Sequence, residues 1–164
     1  MTRLLSAVIL LALLNGTATA SFEIYEAGPR AGAMGGAGAV NNANASGVFY
    51  NPANLADTKG TQIFTTFENL YQGLSDGSSI SRQALAAAFP MTYLFGHRGR
   101  MSIGMHQLGL AGLYSEKITL LSYARPIGQN KAIGLTIRQM ALTYGSDEYT
   151  AKNTDLGAGK SAMG

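Results

Sequence analysis

His97 and His106 are the only histidines of this chain and stand nine residues apart, with no cysteine and no acidic pair at the spacing a metal ion requires. His97 falls in a His97-Arg98-Gly99 stretch that reads as a solvated turn. His106 follows Ser102 by four residues, so on a strand the two share a face and offer a nucleophile and a base of the kind a barrel hydrolase uses. No orienting Asp accompanies them, and a Ser-His pair at strand spacing also arises by chance. Glu23 and Glu26 read as a solvated feature rather than an acid/base pair. The glycines from Gly32 to Gly38 lack the preceding apolar strand of a dinucleotide loop. Gly159-Lys160-Ser161 ends like a phosphate-binding loop, but Thr154 stands where the leading glycine is needed. These residues predict no catalysis, no metal and no cofactor.

The elements that would position such residues follow from composition. Of 164 residues only 13% are charged, 21 are Gly, and none is Cys or Trp, so collagen, coiled coil and zinc finger are excluded and the charge is low for a soluble domain. The net charge of +3 carries no basic cluster and gives no footprint for nucleic acid. Arg3 is the only charge among the first twenty residues. It precedes an apolar run from Leu4 to Leu14, and Ala18-Thr19-Ala20 supplies small residues for cleavage, so residues 1–20 read as a signal peptide. The run is too short to anchor in a bilayer, which takes about 20 apolar residues.

Residues 21–60 are dominated from Gly28 to Ala45 by Gly, Ala and Asn, and such a stretch builds no core of its own. It suits a plug threaded through a tight space. Residues 61–164 have a different texture, with segments rich in Thr, Ile, Leu, Phe, Tyr and Ala separated by turn residues. We read strands over 61–71, 80–93, 100–110, 116–125 and 131–144, and a sixth starting near Thr154. Each is about ten residues, the length of a tilted membrane-spanning strand. The connections around Ser75-Asp76-Gly77-Ser78, His97-Arg98-Gly99 and Pro126 to Asn130 carry turn chemistry and imply an up-and-down meander.

Alternation separates two faces. Met101, Ile103 and Met105 oppose Ser102, Gly104 and His106; Ile133, Leu135 and Ile137 oppose Ala132, Gly134, Thr136 and Arg138. One side suits lipid and the other a crowded or wet lumen. Leu85, Ala87 and Phe89 oppose Ala84, Ala86 and Ala88 with weaker contrast. Beyond Gln139 the apolar side passes to Met140, Leu142 and Tyr144, and a bulge is expected there. Tyr71, Tyr93, Tyr114 and Tyr144 near segment ends suggest an aromatic girdle. The expected fold is therefore all-β, an antiparallel up-and-down transmembrane β-barrel of which five or six strands are present, with an N-terminal plug segment. Closure takes about eight strands at least, so the chain is expected to be the front of a longer protein or one of several copies in one wall.

Residues 27–56, AGPRAGAMGGAGAVNNANASGVFYNPANLA, resemble the opening of the FadL superfamily of outer-membrane barrels, especially its PorV/PorQ branch. Arg30, Met34-Gly35-Gly36-Ala37, Asn44-Ala45-Ser46 and Asn51-Pro52-Ala53 occupy that opening's motif positions in order. Asn54 departs from the usual Gly, and Asn41-Asn42 from the usual acidic residues. The resemblance implies a barrel of about fourteen strands, within the range such barrels span, obstructed by its N-terminal segment. It makes Arg30, Met34, Gly35, Gly36, Asn51, Pro52 and Ala53 the gate motif. Pro52 suits the first position of a helical turn and Asn51 suits its cap.

The function this implies is passage or handling of hydrophobic solutes, long-chain fatty-acid-like, across a bacterial outer membrane, with residues 32–54 displaced when ligand binds. Its partners would be outer-membrane lipid and a hydrophobic small molecule. The alternatives are a PorV/PorQ-like component of a type IX-like secretion system with envelope proteins as partners, a barrel hydrolase using His106, and a soluble exported β-protein.

Overall fold

The computed structural model describes residues 27–39, 44–71, 78–91, 99–110 and 112–145, and the backbone of Lys160–Met163. The expected signal peptide, Glu23, Glu26, Tyr93 and His97 lie outside the described residues. Six strands follow one another in a single antiparallel sheet: β1 (Gln62–Tyr71), β2 (Ile80–Met91), β3 (Gly99–Leu110), β4 (Tyr114–Gly128), β5 (Lys131–Tyr144) and β6 (Lys160–Met163). Each pairs with its sequence neighbour, as short connections dictate, and the sheet is open, with β1 and β6 at its edges.

Expected boundaries hold to within a few residues. The exception is β4, which runs on through Pro126 to Gly128. Proline has no N–H for the ladder, and the register with β5 shifts between Pro126 and Gly128. Gln129 and Asn130 then turn the chain, with Asn130 at φ 60°, a left-handed conformation that Asn tolerates. The described part of β6 starts at Lys160 rather than near Thr154; residues 154–159 lie outside the description.

Register sorts the side chains into the two faces that alternation predicts. One inward row reads Thr66, Ala84, His106, Ile118, Met140, and the next reads Phe64, Ala86, Gly104, Leu120, Arg138. Between such rows lie outward ones, such as Ile63, Ala87, Ile103, Leu121, Ile137. Two expectations are corrected. No bulge follows Gln139, because β4 and β5 pair without interruption from Tyr114↔Tyr144 to Pro126↔Ala132. Met140 and Leu142 are apolar on the inward face because they pack there: Leu142 is buried and Met140 lies against the core. By the same parity Tyr114 and Tyr144 point inward, paired with ring centroids 5.6 Å apart, and form no outward girdle.

The inward face is covered by the chain preceding β1. A short helix α1 (Pro29–Ala33) leads to two 3-10 turns, η1 (Ala45–Phe49) and η2 (Pro52–Asp57). Turn η1 lies on β2 and β3, and η2 on β4 and β5. Their buried Ala45, Val48, Phe49 and Leu55 meet Ala84, Ala86, Ala88, Ile118, Leu120 and Ala124 from the strands in one hydrophobic cluster. Short polar side chains begin both turns. Asn44 accepts from the Ser46 N–H (2.9 Å) and Ser46 hydroxyl (2.6 Å), and Asn51 accepts from the Ala53 N–H (3.1 Å).

Candidate functional site

The gate-motif residues divide between two structures that differ in how firmly they are held. Arg30 sits in α1, Met34 ends it, and both are exposed. Gly35 and Gly36 follow with φ of 63° and 82°, a conformation open to glycine and strained for other residues, and they reverse the chain after α1. Asn51, Pro52 and Ala53 lie in the second structure, the start of η2 on the wall. Pro52 stands at the first turn position with Asn51 as its cap, as the sequence predicts. The resemblance groups these seven residues as one motif; the fold separates Arg30 to Gly36 from Asn51 to Ala53.

Residues 27–39 form a strap pinned at both ends. At its start the Tyr50 hydroxyl accepts from the Ala27 N–H (2.6 Å) and donates to the Ala27 carbonyl (3.2 Å). Gly28 lies against the ring of Phe64, where a Cβ would come within 2.9 Å. At its end the side-chain amides of Asn54 (2.9 Å) and Asn51 (3.5 Å) reach the Ala39 carbonyl, and Gly38 packs on the Tyr50 ring. Between the pins α1 buries only Ala31.

The wall makes room for the turns with glycine. A Cβ on Gly104 would lie 2.8 Å from Val48, and one on Gly134 would lie 2.5 Å from the Ala53 nitrogen. Small residues are thus needed on the sheet as well as in the N-terminal segment. The turns bring Val48, Phe49 and Leu55, and two glycines of the wall supply the space.

The buried polar side chains of the described strands gather in two places on the inward face. The Arg82 guanidinium is bound to Glu68 across the rung (Nη2 2.5 Å, Nε 3.1 Å), with Arg82 buried. One row further, His106 is buried edge-on against Phe49, ring centroids 6.3 Å apart. The second place is a hydroxyl row of Ser102, Ser122 and Thr136 beneath the turns; Ser122 and Thr136 are 2.7 Å apart, and the buried Ser102 hydroxyl has no hydrogen-bond partner among the described residues. Ser102 and His106, four residues apart on one extended strand, are separated by about 13 Å at roughly 3.3 Å per residue. They cannot share the proton that a hydrolase pair must share.

The outward face is apolar and uncovered. Ile63 is 76% exposed, Leu135 69% and Ile137 55%, alongside Leu85, Ile103, Leu121 and Ile133. Lys117 and Arg125 stand on this face of β4 with Leu121 between them. The stretch they bracket is about 27 Å long at roughly 3.4 Å per residue. Tyr123 lies over Gly99 on the same side, its ring filling the space a side chain would take.

Strand alternation and the Asn51 cap are visible in the sequence. The Glu68–Arg82 pair, the Tyr50 clasp and the glycine cradles are not, because each depends on register between segments distant in sequence. Asn44, two residues before Ser46, carried the same capping signal as Asn51. Compared with protein-family models, with curated proteins and with solved structures, the chain matches none.

Proposed function

We propose that this chain supplies wall strands and a lumenal plug to an outer-membrane β-barrel of FadL/PorV type, which passes or handles hydrophobic solutes. The observation that carries this reading is the outward face, where large aliphatic side chains stand 46–76% exposed across five adjacent strands. Isolated exposed aliphatics are ordinary on soluble proteins, but a continuous sheet face of them is not. Tilted by roughly 40°, the apolar stretch between Lys117 and Arg125 has a height of about 21 Å, near the roughly 25 Å band of such barrels. The open edges of β1 and β6 would be closed by further strands, since unpaired backbone is untenable in hydrocarbon.

Gating in this reading belongs to the strap of residues 27–39 rather than to the whole of residues 32–54. Val48, Phe49 and Leu55 are buried, at about 1.5–3 kcal/mol each, so lifting η1 and η2 sacrifices roughly 5–9 kcal/mol. The strap is held by a handful of hydrogen bonds and buries only small residues, Ala27, Gly28, Ala31 and Gly38. A ligand entering between strap and wall has only those contacts to displace.

The test is insertion followed by transport. The full protein is expected to resist carbonate extraction from vesicles, and deletion of residues 27–39 to raise uptake of a long-chain fatty acid while leaving the barrel folded. Extraction without detergent would overturn the membrane reading. Unchanged uptake with normal insertion would overturn the gating reading and favour a secretion-system component, which co-purification of envelope proteins would identify.

A further inference from the structure

The outward face is not uniformly filled. Ala87 stands in a row between Ile63 on β1 and Ile103 on β3, with Leu85 and Met105 one row away, so a small side chain is ringed by large ones. The result is a groove of about 430 Å³ floored by Ala86, Ala87 and Gly104. Its walls are apolar except at one end, where Lys117 and Thr119 close it. Beside Lys117 runs a fixed polar row: the Gln83 amide donates to Gln107 (3.1 Å) and the Gln107 amide donates to Ser115 (3.1 Å). These bonds occupy the neutral polar groups with one another. Lys117 is exposed and forms no ion pair with any described residue.

We infer that this groove is a binding site for one acyl chain of an anionic phospholipid, with the chain over Ala87 and the phosphate at Lys117. The inference rests on the proposal that this face meets lipid and deepens it by naming the lipid class and the place. A saturated chain matches an apolar channel whose floor backbone is paired in the strand ladder, and a lysine at the channel mouth supplies the one charge that distinguishes an anionic headgroup from a zwitterionic one. The polar row across β2, β3 and β4 sets the level at which hydrocarbon gives way to headgroups, two rows above Ala87.

The experiment reconstitutes the full protein into vesicles of phosphatidylglycerol and phosphatidylcholine with matched chains, and reads lipids retained after detergent release by native mass spectrometry. The wild type is expected to retain phosphatidylglycerol preferentially. Lys117→Gln should lower that preference about fivefold, the equivalent of one lysine near a charged surface, while retention of phosphatidylcholine persists. Ala87→Phe should fill the groove and reduce retention of both. An undiminished preference in Lys117→Gln, undiminished retention in Ala87→Phe, or a protein dimer sealing the groove in place of lipid would each overturn the site. Failure of the wild type to enter vesicles at all would instead overturn the membrane reading, so the two failures are told apart by the insertion step.

Discussion

Gly134 on β5 lies directly beneath Pro52, so close that a Cβ at Gly134 would stand 2.9 Å from the Pro52 Cβ and 2.6 Å from its carbonyl carbon. The atoms in the way belong to backbone and to a rigid ring, so they cannot swing aside as a flexible side chain does. The wall and the first residue of η2 are thereby fitted to each other.

Gly134→Val is expected to lift η2 and destabilise the fold by about 1–3 kcal/mol, as overpacking does. Urea titration in lipid vesicles measures the loss, and limited proteolysis locates it in residues 44–58. Gly128→Ala is the control, since nothing lies within 4 Å of a Cβ there, and it should stay within about 0.5 kcal/mol of the wild type.

Glu68→Gln should weaken the two charge-assisted hydrogen bonds that the buried Arg82 guanidinium makes across the rung and cost about 1.5–3 kcal/mol. Replacing both residues, Glu68→Leu with Arg82→Met, should recover much of that loss in the same titration.

Leu135→Arg places a charge in the middle of the outward face. Folding into vesicles should become less favourable by about 2–4 kcal/mol, whereas Thr143→Arg near the strand end should change it by about 0–1 kcal/mol. Equal small effects at both positions would mean that the face meets water.

Tyr50→Phe removes the hydroxyl that engages both backbone groups of Ala27. Hydrogen exchange across residues 27–39 should accelerate by a factor matching about 1 kcal/mol, with β2 to β5 unaffected. Acceleration spread over the strands would show that strap and wall open together.

The strands were legible because period-two alternation is a local property, and the parity set at Met101, Ile103 and Met105 persists through the neighbouring strands. The same parity, counted from Ile118 to Tyr114 and from Leu142 to Tyr144, puts both tyrosines inside; position near a strand end points to a girdle, and parity overrides it. Met140 and Leu142 point to a bulge only if an inward face is small or polar throughout, whereas it turns apolar where it joins the core. Of the gate motif, the Asn51 cap and Pro52 start were readable from three consecutive residues. The division between a strap and a seated turn was not, since it depends on Tyr50 meeting Ala27 and on Gly134 meeting Pro52.

The ion pair between Glu68 and Arg82 also bears on how β2 finds its place. From Ala84 to Ala88 four of five residues are alanine, and such a strand could slide along β1 by two positions with its inward and outward sides preserved. A slide of that size would set Arg82 opposite Thr66 or Leu70 in place of Glu68 and break both hydrogen bonds between the guanidinium and that carboxylate. One carboxylate thus serves as the alignment mark for an otherwise featureless ribbon, and every later strand, laid down against β2 in turn, inherits its setting.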